Sequence, residues 1–187
     1  MKKIFLLSAL LIVFTSCATT QYMNIADDKG SRDWGPLEIN KTVETMTGSL
    51  YAFLKESKNP AYLELKKIKN RTSEHIDTQM IGNMLTTNLI KKRIPFVDRS
   101  KRKEAIEEMQ IGQSGLIDEA TAIPMGNLKS PNFILEGDVS DNLRSVSGSR
   151  IQYLVVTLKL TELSSGQIIW QEQTEFLKKS TENKLTW

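Results

Sequence analysis

The sequence predicts an α+β fold, or mixed α/β fold, in which helices pack on a small sheet of about five strands. Two observations predict it. Over much of residues 36–93, apolar residues recur every three or four positions, as in amphipathic helices. Near the carboxyl terminus they alternate with polar residues, as in strands. The predicted order is helix, strand, helix, strand, two helices and three strands, which is typical of a sheet covered by helices.

The first predicted helix begins at Pro36 and ends near Ser57. Proline is tolerated in the first turn of a helix, because its missing N–H would have no partner inside the helix there. One face of this helix carries Ile39, Val43, Met46, Leu50 and Leu54. After a turn signal at Pro60, the stretch AYLELKKIKN alternates apolar and polar residues and predicts the first strand.

A second helix is predicted over residues 74–93, with Thr72 or Ser73 as its N-cap. Its predicted apolar face consists of seven residues: Ile76, Met80, Ile81, Met84, Leu85, Leu89 and Ile90.

Between this helix and the last strands, three further elements are predicted. IPFVD at residues 94–98 predicts a short strand, and KRKEAIEEMQ predicts a short charged helix. Another helix is predicted to start after Asp118. Pro124 would kink or end it, because proline removes a helix hydrogen bond.

Three strands are predicted at the carboxyl end, from NFILEGDV, IQYLVVTLKLTEL and IIWQEQTEFLKK. In the second of these, one side of the strand carries Leu154, Val156 and Leu158, and the other carries Thr157 and Lys159. One face is therefore predicted to be buried and the other exposed to solvent. Residues 164–167 predict a hairpin. SVSGSR at residues 145–150 predicts a solvated connection, with anion binding as the alternative.

The amino terminus predicts a lipoprotein signal peptide. Two lysines precede an apolar run over residues 4–14, which is too short to span a bilayer. The lone cysteine, Cys17, follows Ser16 and resembles a lipobox cysteine, whose thiol is diacylated and before which the chain is then cut. Palmitate is an expected acyl chain. The alternative is an ordinary signal peptide cut elsewhere. Ala18 stands where aspartate retains such proteins in the inner membrane, so outer-membrane localisation facing the periplasm is expected.

These features predict a signal peptide over residues 1–16, a lipidated flexible tether over 17–33 and a globular periplasmic domain over 34–187. Removing residues 1–16 from the 187 leaves 171, the size of one ordinary domain. The formal charge of +3 falls to +1 when Lys2 and Lys3 are removed, so nucleic acid is not an expected partner. With one cysteine, no intramolecular disulfide can form.

The sequence shows no pattern of catalytic or metal-ligating residues. His75 is the only histidine, without a second histidine or a cysteine in the predicted domain to share a metal. The glycines form neither a phosphate-binding loop nor a dinucleotide fingerprint. We therefore expect no catalytic residues, no metal and no cofactor, and a protein that acts by binding.

Several stretches resemble, in order, the LpoB-type outer-membrane lipoprotein activators of bifunctional penicillin-binding proteins. They are DWGP followed by TVETMTGSL, then KNRTSEHID, FVDRS, EEMQIGQSGLID and FILEGDVS. The resemblance implies a small domain like the amino-terminal domain of TolB and related to CsgG. It also implies a non-enzymatic activator that binds a bifunctional penicillin-binding protein in the periplasm and so regulates peptidoglycan synthesis, cell-wall biogenesis and cell shape. We expect a monomer.

The matching motifs carry over a set of partner-contact candidates: Asn70, Arg71, Thr72, His75, Asp98, Arg99 and Ser100. The alternative for each is structural, because polar residues at strand-to-helix turns usually satisfy backbone groups or pair with a carboxylate. Trp34 is a further candidate, either as an interface anchor or as a staple of the first helix.

Two departures from the family and two other functions bear on this interpretation. The predicted tether is short, and Pro124 and Pro131 stand where the family continues a helix and turns into a strand. An accessory component of an outer-membrane assembly or secretion complex is the main alternative, although residues 140–150 are too short and polar for a pore hairpin. An enzyme that hydrolyses the cell wall is the second alternative function.

Overall fold

The computed structural model describes residues 23–27, 29–30, 33–57 and 59–181. Within these residues the chain forms three α-helices and five strands. The helices are α1 (Pro36–Glu56), α2 (Thr78–Lys91) and α3 (Arg102–Gly112), and the strands are β1 (Leu63–Leu65), β2 (Lys69–Asn70), β3 (Phe133–Val146), β4 (Ser149–Glu162) and β5 (Ile168–Thr181). Two 3-10 turns, Ile25–Asp27 and Arg99–Lys101, complete the regular structure. The predicted signal peptide and Cys17 lie outside the described residues.

The five strands form one mixed sheet. β3, β4 and β5 are an antiparallel meander of 14-residue strands, and β1 and β2 both run parallel to β3 along its other edge. The strand order is β1, β3, β4, β5, with β2 also beside β3. The predicted fold class is therefore confirmed.

The hydrophobic core lies between one face of this sheet and the two longer helices. α1 packs against β5 and α2. The core side chains come from α1 (Val43, Met46, Leu50), α2 (Ile81, Leu85, Leu89) and the strands (Leu63, Leu135, Val139, Leu154, Val156, Leu158, Leu160). On β4 these are alternate residues, as the sequence pattern predicted, because successive strand residues face opposite sides.

α1 starts and ends where the sequence predicted. Pro36 is its first residue, and the Glu38 carboxylate accepts a hydrogen bond from the backbone N–H of Gly35 at 3.0 Å. The same carboxylate contacts the Lys178 ammonium at 2.9 Å, which ties the amino-terminal end of α1 to β5. Ser57 is extended and ends the helix.

α2 begins later than predicted. Its N-cap is Asp77, whose carboxylate accepts from the backbone N–H groups of Gln79 and Met80 at 3.0 and 3.1 Å. The predicted caps at Thr72 and Ser73 are wrong, because the chain turns there before the helix starts. The predicted apolar face was also too wide, since Met80 and Ile90 are 46% and 53% exposed.

Two predictions between α2 and β3 are wrong. IPFVD forms a single bridge between Phe96 and Leu63 rather than a strand. The helix predicted after Asp118 is absent, because residues 113–131 contain no helix; the Asp118 carbonyl accepts from the Ala122 N–H in an isolated turn. This stretch contains glycines and Pro124, which disfavour a helix, so a continuous helix does not form through it.

The β3–β4 connection is tighter than the predicted solvated loop. Both strands continue to a two-residue turn, in which Ser147 and Gly148 have φ of 47° and 75°. Positive φ at both central residues matches the right-handed strand twist and closes a hairpin. The predicted hairpin between β4 and β5 is confirmed.

The predicted tether is partly ordered. Ile25–Asp27 forms a 3-10 turn that contacts α1, and the Asp33 carbonyl accepts a hydrogen bond from Lys178 Nζ at 2.6 Å. Residues 17–22, 28, 31 and 32 of the predicted tether lie outside the described residues.

Candidate partner-binding surface

The segment from Asn70 to Asp77, between β2 and α2, is closed by its own side chains. The Asn70 side-chain oxygen accepts from the Thr72 N–H at 2.9 Å and from its hydroxyl at 2.8 Å, and the Asn70 amide donates to the Glu74 carbonyl at 2.7 Å. Asn70 and Thr72 are thus already committed to the turn. They shape the segment rather than present free polar groups to a partner.

Arg71 and His75 point outward from the same segment. The Arg71 backbone N–H donates to the Val139 carbonyl at 2.8 Å, and this bond holds the Arg71 backbone beside β3. Its guanidinium Nε lies 3.6 Å from an Asp138 carboxylate oxygen, with the side chain 61% exposed. The His75 side chain is also exposed. Both can be reached by another protein without unfolding the segment.

Glu74 anchors the segment to the sheet. Its carboxylate contacts the Arg150 guanidinium at 2.8 Å and accepts from the Gln152 amide at 3.0 Å, and Gln152 also donates to Asp141 at 2.8 Å. Sequence reasoning missed this network. One signal was present: Gln152 is a polar residue in phase with the buried Leu154 on β4.

Asp98, Arg99 and Ser100 form a second cluster. The Asp98 carboxylate accepts from the Ser100 N–H at 2.8 Å and from its hydroxyl at 2.6 Å, and these bonds lower the pKa of Asp98. Arg99 Nε lies 2.8 Å from the buried Glu64 carboxylate, whose other oxygen contacts Lys66 Nζ at 2.6 Å. Asp98 therefore caps the 3-10 turn, as its structural alternative predicted, whereas Ser100 lies within the turn and donates to that cap.

Trp34 lies at the opposite edge of the sheet, beside β5. Its ring meets Phe176 of β5 edge to face, with centroids 5.8 Å apart and an interplanar angle of 84°. The side chain is half-buried. Aromatic pairs in this arrangement add stability beyond the area they bury, so Trp34 holds the start of the domain against β5.

Comparison with known proteins identifies the family. The sequence model described as "Peptidoglycan-synthase activator LpoB" matches residues 37–176. The chain belongs to the LpoB family. No curated protein sequence matches it significantly.

Solved structures with a similar arrangement include LpoB itself. The LpoB C-terminal domain from Salmonella enterica is 13% identical, with a TM-score of 0.42 over 70% of this chain and 94% of that one. The E. coli LpoB NMR structure is 13% identical, with a TM-score of 0.41 over 91% and 86%. Lipoprotein GNA1162 from Neisseria meningitidis is 13% identical, with a TM-score of 0.40 over 67% and 88%. Since these scores are low, the family assignment rests on the sequence model.

The LpoB-family match contains seven of the eight partner-contact candidates, and Trp34 precedes it. The sheet register separates them. Phe96 and Phe133 are both level with Leu63, whereas Asn70 is level with Val139. Val139 follows Phe133 by six residues along β3, which is a distance of about 20 Å. Trp34 lies at the β5 edge, so the candidates form three patches rather than one site.

Of these patches, the one around Arg71 and His75 continues onto an exposed helix face. α2 starts directly after it, and a 470 Å³ cleft there is lined by Asp77, Met80 and Met84 among others. Methionine side chains are flexible and adapt to varied partner surfaces. We call Arg71, His75, Met80 and Met84 the α2 docking surface.

The described residues of this LpoB-family chain hold no group of three or more side chains suited to a metal ion. None of their helices has the length and apolar character needed to cross a bilayer.

Proposed function

We propose that this LpoB-family protein is a lipid-anchored, non-enzymatic activator that binds the periplasmic part of a bifunctional penicillin-binding protein and stimulates peptidoglycan synthesis. The family match over residues 37–176 is the observation that supports it. The proposed partner contact is the α2 docking surface, because it combines an exposed guanidinium and imidazole with exposed methionine on a segment that is already ordered.

The order of the segment from Asn70 to Asp77 favours a higher affinity for the partner. A loop that is disordered before binding loses conformational entropy when it docks, whereas a preformed one does not. The hydrogen bonds of Asn70 and Thr72 and the Glu74–Arg150 contact preform the segment. Asn70 and Thr72 thus contribute to binding through the shape of the turn, and Arg71 and His75 through direct contact.

The decisive experiment is binding and stimulation of the bifunctional synthases from the protein's own cell. The full mature chain should bind at least one of them and raise its glycan polymerisation or cross-linking rate. Arg71→Ala combined with His75→Ala should weaken binding about tenfold, which corresponds to about 1.4 kcal/mol. Lys103→Ala is the matched control, because its side chain is 87% exposed on α3 and it removes the same charge elsewhere.

Different failures have different meanings. If no bifunctional synthase of the cell binds or responds, the activator function is wrong. Crosslinking in intact cells that captures only outer-membrane proteins would point to the assembly or secretion alternative. If the parent chain activates and the double variant matches it, the activator function stands and the α2 docking surface is wrong.

The proposed anchor is a lipid on Cys17 in the outer membrane, facing the periplasm. Cys17→Ser should move the protein from the membrane fraction to the soluble fraction, because several acyl chains together bind a bilayer firmly and the variant has none. Mass spectrometry of the mature amino terminus is the direct check. An unmodified Cys17 in a membrane-bound chain would contradict lipidation.

The ordered turn at Ile25–Asp27 limits how far this anchor lets the domain reach. With that turn against α1, residues 17–24 remain as the link, and eight extended residues span about 28 Å. We infer that a synthase partner must approach the outer membrane closely to meet the docking surface.

A further inference from the structure

The outer edge of β5 is long and has no partner strand. β5 pairs with β4 on one side, and no strand among residues 23–27, 29–30, 33–57 and 59–181 pairs with the other. A strand edge presents backbone N–H and C=O groups that can bond to another strand. Fourteen residues of such edge are enough for a substantial new ladder.

The sheet face away from the helices carries an exposed apolar patch beside this edge. Leu177 of β5 is 71% exposed, and its register partner Tyr153 on β4 is 39% exposed. Together with Ile151 they line a shallow 300 Å³ cleft. The patch is therefore continuous with the edge and would extend across any strand added there.

Two contacts hold the described residues before α1 to the helix side of β5. They are made with Phe176 and Lys178, whose register partners on β4, Leu154 and Gln152, are buried on that side. A groove of 540 Å³ lies between residues 175–180 of β5 and residues of α1 and the segment before it, among them Leu37, Lys41 and Gly30. Its α1 lining places this groove on the helix side of β5.

The charges of β5 fit a second copy of β5 in one antiparallel register. Two identical strands related by a two-fold axis through Leu177 place Glu175 opposite Lys179 twice. They also place the two Leu177 side chains opposite each other on the apolar patch. Opposite charges in direct cross-strand pairs stabilise a sheet, and like charges destabilise it.

Neighbouring registers are worse. One strand can shift along the other only by an even number of residues from the Leu177 register. An odd shift would place residues on the helix side of one strand opposite residues on the open side of the other. An axis through Glu175 opposes two glutamates, and an axis through Lys178 opposes two lysines. An axis through Phe176 creates no opposite-charge pair. Over residues 173–181, which pair in this register, the Leu177 axis alone among these gains charge pairs without opposing like charges.

We propose that two copies of this chain associate through their β5 edges, in antiparallel register about Leu177, so that the two sheets become one. This replaces the sequence-based expectation of a monomer. The nine residues from Gln173 to Thr181 pair in each copy, and an antiparallel ladder supplies roughly one backbone hydrogen bond per paired residue. Self-association does not depend on synthase binding.

Cysteine crosslinking tests the register in cell membranes with the full chain. Leu177→Cys should give a covalent dimer with a short bis-maleimide crosslinker, because the two residues face each other across the axis. Gln173→Cys is the matched control. It lies on the same face but pairs with Thr181, which puts the two cysteines about 26 Å apart. The parent chain gives the background from Cys17.

Charge exchange tests the pairing independently. In sedimentation of the detergent-solubilised full chain, Lys179→Glu should raise the dimer dissociation constant at least about tenfold, because it creates two pairs of opposed glutamates. Glu175→Lys should do the same with lysines. Combining both substitutions restores two opposite-charge pairs and should restore the dimer. Both positions are exposed on β5, so circular dichroism of all three variants should show the parent fold.

Three results would each overturn the proposal. The first is crosslinking of Leu177→Cys no stronger than that of Gln173→Cys. The second is a parent chain that sediments as a monomer at all accessible concentrations. The third is a double charge variant that dimerises as weakly as the single variants.

Discussion

Gly137→Ala should unfold the domain or destabilise it by at least about 3 kcal/mol. Gly137 lies in the middle of β3, opposite Leu158 of β4. A Cβ at this position would lie 2.0 Å from the Thr157 carbonyl oxygen and 2.6 Å from Leu158 Cδ2. The first of these atoms belongs to the backbone and cannot rotate away.

Relief of this clash requires β3 and β4 to separate locally. These strands hold Leu135, Val139, Leu154 and Leu158, so their separation also opens the core. A domain of this size is stable by about 5–15 kcal/mol, so the loss takes a large share of the total.

Urea unfolding followed by circular dichroism measures the effect. Gly48→Ala is the control, because Gly48 lies inside α1 and a Cβ there would have no neighbour within 4 Å. It should stabilise the domain by about 0.5–1 kcal/mol, since glycine is less favourable than alanine inside a helix. A Gly137→Ala variant with the parent midpoint would show that β3 and β4 tolerate a wider spacing than the structure has.

Sequence periodicity predicted the elements whose apolar pattern extends over many residues. α1 and the three long strands each carry at least four core or alternating positions, so a local error does not change the period. Boundaries set by one polar side chain were less predictable. Thr72, Ser73 and Asp77 are all good N-caps by residue type, and the choice of Asp77 follows from the turn that Asn70 closes with Thr72.

The candidate surface was predictable only in part, because its support comes from distant residues. Arg71 and His75 were predicted as candidates, and the side chains of both are exposed in the structure. Glu74 was not, because its partners Arg150 and Gln152 lie 76 and 78 residues away along the chain. No local sequence pattern encodes such a contact, because the contact forms only when the fold places β4 beside the segment.

Glu74→Ala should destabilise the domain by about 3 kcal/mol and loosen the segment from Arg71 to Asp77. The side chains of Glu74 and Arg150 are 14% and 20% exposed, so the substitution leaves a guanidinium largely out of water without its carboxylate. Gln152 loses one of its two acceptors as well. Urea unfolding gives the stability, and amide hydrogen exchange over residues 71–77 reports the loosening.

Replacing both partners separates the energetic role of the pair from its structural role. Glu74→Leu combined with Arg150→Met should return stability to within about 1 kcal/mol of the parent, because an apolar pair of similar volume avoids the cost of burying charge. Within the described residues, Glu74 Oε2 and Arg150 Nε are buried without a hydrogen-bond partner, so the native pair is incompletely satisfied. This favours a small net contribution to stability.

One possible result is that the double variant regains the stability of the parent but still shows fast amide hydrogen exchange over residues 71–77 and weak synthase binding. The ion pair would then order the docking segment and not stabilise the fold. That outcome would explain a charged pair at a position where apolar residues serve stability equally well. A double variant as unstable as Glu74→Ala would instead show that the pair contributes to folding itself, and the segment's order would then follow from the fold.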